Sequence, residues 1–110
     1  MTDETKKRIE DKINSAPVVI FMKGSPMLPQ CGFSAQTVEV LRRSGVEDLV
    51  YEDVLADPDI RQGIKEHTGW PTIPQVFIKG EFVGGCDIVT EMYQTGELQK
   101  LLDQHGIPHV

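Results

Sequence analysis

The sequence predicts an α/β fold, a mixed four-stranded sheet flanked by helices on both faces, and three observations carry that prediction. The run Val18-Val19-Ile20-Phe21-Met22 is unbroken apolar sequence of strand length, the pattern of a strand covered on both faces. A helical segment and a second strand-like segment, Leu49 to Val54, follow it, and strand–helix–strand order implies parallel pairing through a right-handed crossover. Later, Gln75-Val76-Phe77-Ile78 and Glu81-Phe82-Val83 flank Lys79-Gly80, a short hairpin signal that adds an antiparallel strand.

The elements follow in order. Asp3 to Ser15 is polar with Ile9 and Ile13 four apart, so it reads as a surface helix held by a narrow apolar stripe. After the first strand comes a Gly/Pro-rich loop to Gln30. Phe33 to Ser44 then reads as a helix, with Val38 and Leu41 inward and Gly45 ending it. Asp57-Pro58 is an N-cap followed by proline at the first helical position, opening a helix through Ile60 and Ile64 towards Gly69. Asp87 is placed to cap a helix carrying Ile88, Val89, Met92 and Tyr93, and after Gly96 a last helix carries Leu98, Leu101 and Leu102. The resulting order, helix then β-α-β-α-β-β-α-α, is a thioredoxin-like layout. One domain spanning 1–110 is expected, since a chain of 110 residues buries a single core without disulfide staples.

Composition narrows the function classes. With 39% apolar and 25% charged residues the chain reads as an ordinary soluble globular protein. A formal charge of −6 argues against nucleic acid as a partner, because phosphate binding wants clustered Lys and Arg. Lys6-Lys7-Arg8 and Arg42-Arg43 are interleaved with acids and read as solvated helix faces. No stretch approaches the ~20 apolar residues of a membrane span. The N-terminus lacks the apolar core of a signal peptide, and its acids argue against a transit peptide. A cytoplasmic location is the expectation, with an organelle matrix the alternative for a protein whose leader has been removed.

The densest chemistry lies in Lys23-Gly24-Ser25-Pro26-Met27-Leu28-Pro29-Gln30-Cys31-Gly32-Phe33-Ser34. Cys31 falls at a helix N-terminus directly after an apolar strand. Helix-end N–H groups and a nearby cation, here Lys23, lower a thiol pKa and create a reactive thiolate. Where a dithiol motif would carry its second cysteine stands Ser34, whose hydroxyl cannot resolve a mixed disulfide. Only Cys31 and Cys86 are present, too few for a four-thiolate zinc site within one chain. A structural disulfide between them is the bland alternative, which reducing compartments disfavour. Trp70 reads as a packing residue, and His67, His105 and His109 carry no assigned role.

Cys31-Gly32-Phe33-Ser34, the lead-in Lys23-Gly24-Ser25-Pro26, Trp70-Pro71-Thr72-Ile73-Pro74-Gln75 and Gly84-Gly85-Cys86-Asp87 together resemble the monothiol (CGFS-type) glutaredoxins, in a short single-domain form. The four blocks occur in register across residues 18 to 95. The resemblance implies that Lys23 and Arg61 bind carboxylates of glutathione. It implies further that the backbone at Ile73, beside a cis Pro74, pairs with the tripeptide, and that Cys86 and Asp87 take its γ-glutamyl end. Cations, a free strand-like edge and a helix N-terminus are what an extended dicarboxylate peptide wants. Arg61 also reads as a surface ion-pair member near Asp57 and Asp59, and Asp87 as a plain N-cap. Cys86 is either a resolving thiol or a backbone contact. The family commonly doubles the aspartate after this cysteine; this chain has Asp87-Ile88, which removes one acceptor from the γ-glutamyl contact.

Two functions from different classes follow. The first is a carrier of a 2Fe–2S cluster in iron–sulfur biogenesis and iron homeostasis. Such a cluster takes four thiolate-type ligands; Cys31 and one glutathione from each of two subunits complete that set. The protein is then a homodimer when cluster-bound and a monomer when apo. BolA-type proteins and iron–sulfur acceptor proteins are the implied partners. The alternative is an enzyme, a glutathione-dependent monothiol oxidoreductase that deglutathionylates proteins. The longer Ser25–Gln30 loop goes, in the resembled family, with weak exchange activity. A blander reading is a redox sensor or adaptor signalling the glutathionylation of Cys31.

Overall fold

A computed structural model describes residues 1–109. Its elements are α1 (Asp3–Ile13), β1 (Val18–Met22), α2 (Gly32–Arg43), β2 (Leu49–Asp53), α3 (Pro58–Thr68), β3 (Gln75–Ile78), β4 (Glu81–Gly84), α4 (Cys86–Thr95) and α5 (Glu97–Gln104). The strands form one sheet in the order β2-β1-β3-β4. β1 pairs parallel with β2 and antiparallel with β3, and β3 pairs antiparallel with β4. This is the thioredoxin-like arrangement, with the mixed sheet the sequence predicts.

Alternation along β1 divides the interior into two layers, because successive side chains of a strand point to opposite faces. Val18, Ile20 and Met22 join Val38 and Leu41 of α2, Val89 of α4, and Leu98 and Leu102 of α5. On the other face, Val19 and Phe21 meet Ile9 and Ile13 of α1, Ile60 and Ile64 of α3, and Phe77. Phe21 and Phe77 are fully buried, with ring centroids 5.6 Å apart in an edge-on arrangement. Burying one such side chain stabilises the fold by roughly 1.5–3 kcal/mol.

Boundaries differ from expectation where local hydrogen bonds intervene. α1 stops at Ile13, because the Asn14 N–H and side-chain amide both donate to Glu10 O and the Ser15 hydroxyl donates to Lys12 O. α2 begins at Gly32 and ends in a left-handed Gly45, with Val46 N–H on Leu41 O and Gly45 N–H on Arg42 O, a Schellman motif. Asp57 caps α3 as expected, accepting from the N–H groups of Asp59 and Ile60. The expectation that Asp87 caps α4 is corrected. Gly85 is the N-cap, Cys86 is the first helical residue, and Asp87 lies inside the first turn. An acid there still faces the positive end of the helix. No helix among the described residues is long and apolar enough to cross a membrane.

Candidate functional site

Cys31 is the N-cap of α2, in extended conformation (φ −155°, ψ 137°) and partly exposed. Its thiol is held below the ordinary value first by the Ser34 backbone N–H; burial, the next largest influence, opposes this, and the Phe33 N–H, the Lys23 charge and the Ser34 hydroxyl add to the lowering. The Cys31 side chain makes no capping hydrogen bond; the N–H groups of the first turn and the Lys23 charge favour its ionised form.

The loop between Lys23 and Cys31 is stitched at both ends. Lys23 N–H donates to Ser34 Oγ (3.2 Å), and Gln30 N–H donates to Lys23 O (2.9 Å). Gly24 N–H donates to Asp53 Oδ1 (2.9 Å) at the end of β2. Gly24 itself has φ +87°, and a Cβ there would lie 2.4 Å from Leu28 O, so only glycine closes this turn. Within the loop Ser25 and Leu28 exchange backbone hydrogen bonds. The loop leaves Met27 and Leu28 83% and 70% exposed, and Phe33 in the first turn of α2 is exposed as well.

All six residues singled out from the sequence line one cavity of about 410 Å³: Lys23, Cys31, Arg61, Ile73, Cys86 and Asp87. The peptide bond between Ile73 and Pro74 is cis. Cys86 is buried, and both cysteines are free thiols. Asp57 pairs with Arg8 at 2.8 Å rather than with Arg61, which leaves the surface ion-pair reading of Arg61 without that partner. His67, His105 and His109 lie outside the cavity; His109 Nε2 instead meets Asp103 Oδ1 at 2.6 Å.

Of the other residues lining the cavity, two bear most on its chemistry and were not assigned to it from the sequence, Lys65 and Trp70. Lys65 stands one helical turn beyond Arg61 on α3 and adds a third cation to the cavity lining; its i, i+4 spacing was the available signal. Trp70, read as packing only, also lines the cavity. Its ring leans on Phe82 at 5.9 Å, and Phe82 leans on Phe77 at 5.5 Å. Gly85 permits that placement, since a Cβ would lie 3.1 Å from Pro74 O and 3.3 Å from Trp70 Nε1.

Chemically, the cavity offers one partly exposed thiol with a lowered pKa, three cations in its lining, Lys23, Arg61 and Lys65, and the N-terminal turn of α4. Among the described residues no group of three or more His, Cys, Asp or Glu is disposed to hold a metal ion.

Residues 18–83 match the Glutaredoxin family model. The chain is 54% identical over 105 residues to the mitochondrial monothiol glutaredoxin-5 of Lachancea kluyveri, covering 94% of this chain and 73% of that protein. It superposes with a TM-score of 0.85 on a monomeric truncated mutant of Trypanosoma brucei 1-C-Grx1, at 50% identity and 94% coverage of each chain. A buckwheat glutaredoxin–glutathione complex matches with a TM-score of 0.81 at 28% identity, covering 98% of this chain and all of that one.

Proposed function

The chain belongs to the glutaredoxin family, in its monothiol branch, and from that premise we propose that it is a glutathione-dependent carrier of 2Fe–2S clusters. The observation that carries the reading is a single partly exposed thiol, Cys31, in a cavity also lined by Lys23, Arg61 and Lys65, with the buried Ser34 where a second thiol would stand. Glutathione is an extended dicarboxylate. In this reading its glycyl carboxylate meets Lys23 and Arg61, its backbone pairs with Ile73, and its γ-glutamyl end meets the α4 N-terminus at Cys86 and Asp87. The buckwheat glutaredoxin solved with glutathione supports that choice of ligand. Bound this way, the tripeptide brings a second sulfur beside Cys31. One subunit then presents two thiolates, and a two-fold pair supplies the four that a 2Fe–2S cluster takes.

The cluster is cargo: ligands that include a diffusible peptide let it be passed to an acceptor protein. Dimerisation on loading, replacement of one subunit by a BolA-type partner, and action in the cytoplasm or an organelle matrix complete the reading. Exposed Phe33, which shares the cavity lining with Cys31, and exposed Met27 and Leu28 in the preceding loop supply apolar surface for such contacts.

The lowered thiol pKa of Cys31 also favours a second activity, thiol–disulfide exchange. Its thiolate attacks the glutathione sulfur of a glutathionylated protein, and the protein thiolate leaves and takes up a proton. A second glutathione thiolate then attacks the Cys31 mixed disulfide, releasing glutathione disulfide and regenerating Cys31.

Anaerobic reconstitution with iron, sulfide and glutathione tests the choice. The carrier reading expects visible absorption of a 2Fe–2S cluster that requires both glutathione and Cys31, is lost in Cys31→Ala and is largely kept in Cys86→Ser. A colourless protein that still reduces glutathionylated substrates makes exchange the main function.

A further inference from the structure

Strand alternation puts an apolar residue wherever β3 faces the core, yet its first residue is Gln75, fully buried on the same side as Phe77. A buried amide costs stability unless each of its polar atoms is paired. Here each is. Nε2 donates to Trp70 O (3.0 Å) and Thr72 O (3.2 Å), and Oε1 accepts from the Thr68 hydroxyl (2.9 Å). Thr68 Oγ1 in turn accepts from Trp70 N–H (3.1 Å).

The placement of these partners is specific. Thr68 is the last residue of α3 and Gln75 the first of β3, so their hydrogen bond clamps the base of the connection 69–74. Both amide protons then reach up to carbonyls within it. Five consecutive residues of that connection, Trp70 to Pro74, form one wall of the cavity. The amide is anchored from below, since Gln75 pairs with Phe21 in the sheet. A leucine at 75 would fill comparable space and give the core more apolar area, but it would release both carbonyls, and the Thr68 hydroxyl would turn back to its other acceptor, Ile64 O at 3.1 Å within α3.

We propose that Gln75, together with Thr68, is a positioning residue for the thiol-peptide site: the clamp holds the Trp70–Pro74 wall in its ligand-ready conformation. Neither side chain lines the cavity, so both act through the wall. The inference rests on reading the cavity as a glutathione site. With the clamp open, the wall samples other conformations, and apparent affinity falls by the fraction of time the competent one is populated.

The pair Thr68→Val and Thr68→Ser tests this with minimal change of volume, and Gln75→Leu adds the second half of the clamp. Trp70 is the chain's single tryptophan, so its fluorescence reads the wall directly. In Thr68→Val and Gln75→Leu we expect red-shifted Trp70 emission with greater acrylamide quenching, and a glutathione Kd raised about tenfold by calorimetry. Far-UV circular dichroism stays native, and Thr68→Ser behaves as wild type. Wild-type Trp70 emission and glutathione Kd in Thr68→Val overturn the assignment even if Gln75→Leu fails to fold. A wild-type protein that binds no glutathione overturns the glutathione reading and this inference with it, an outcome visible before any variant is made.

Discussion

Asp53 offers the sharpest test of how the thiolate loop is held. Its Oδ1 accepts the N–H of Gly24 at 2.9 Å and of Leu55 at 2.9 Å, fastening the turn beside Lys23 to the end of β2. Asp53→Ala removes both bonds. A hydrogen bond to a charged acceptor contributes about 1.5–3 kcal/mol when well buried. Asp53 is half-buried and Leu55 is exposed, so the low end applies to Gly24 and less to Leu55, about 2 kcal/mol together. For a chain of this length that corresponds to a Tm lowered by about 8 °C. Asp53→Asn keeps a neutral acceptor at Oδ1 and should lose less than half as much. The same release frees Gly24 next to Lys23, so glutathione affinity should weaken in the order wild type, Asn, Ala. Urea and thermal denaturation of the three proteins, with calorimetric glutathione titrations, measure both effects. An Asp53→Ala protein within about 0.5 kcal/mol of wild type, inside the range of a neutral surface change, would refute the loop anchor.

Three further predictions address charge. Because the Ser34 and Phe33 N–H groups and Lys23 lower the Cys31 thiol, its alkylation by iodoacetamide should titrate at lower pH than a free cysteine, and Lys23→Gln should move that midpoint up. The sign for stability follows. A group with a depressed folded pKa gains stability as pH rises from the folded to the unfolded value, so wild type should pull ahead of Cys31→Ser across that interval, as read by urea midpoints. Asp57 is lowered chiefly by its hydrogen bond to Arg8 and next by the Ile60 N–H; its contribution is present above the unfolded carboxylate range and lost as pH falls through the folded value. The Tm gap between wild type and Arg8→Gln should therefore be open at neutral pH and close on acidification. Lys23→Glu should weaken glutathione binding by tenfold or more, since a charged hydrogen bond worth about 1.5–3 kcal/mol is replaced by repulsion; unchanged calorimetric affinity removes Lys23 from the ligand site.

Much of this was legible in the sequence because its signals are local. The apolar run at Val18–Met22, the Asp57-Pro58 start and the Lys79-Gly80 turn each encode their element through short-range physics. The six site residues singled out from the sequence were legible through motif resemblance, and the fold gathers them from the end of β1, the N-cap of α2, α3, the approach to β3 and the start of α4. What stayed hidden depends on contacts between distant segments. Ser34 reads as a missing thiol, but its fully buried hydroxyl accepts from Lys23 N–H eleven residues away. Asp53 reads as the polar end of a strand, yet it fastens a loop twenty-nine residues earlier. Gln75 reads as an ordinary strand start, and only the return of Thr68 and Trp70 shows what its amide holds. Asp87 looked like a cap because aspartate favours that position; two glycines before Cys86 let the helix begin earlier than side-chain chemistry signals.

The most direct test of the central claim is native mass spectrometry of anaerobically reconstituted protein. A glutathione-dependent cluster carrier gives a species with the mass of two chains, two glutathiones and one 2Fe–2S cluster, collapsing to apo monomer when glutathione is withdrawn. A cluster-loaded species that contains no glutathione, or that forms equally with Cys31→Ala, would contradict it.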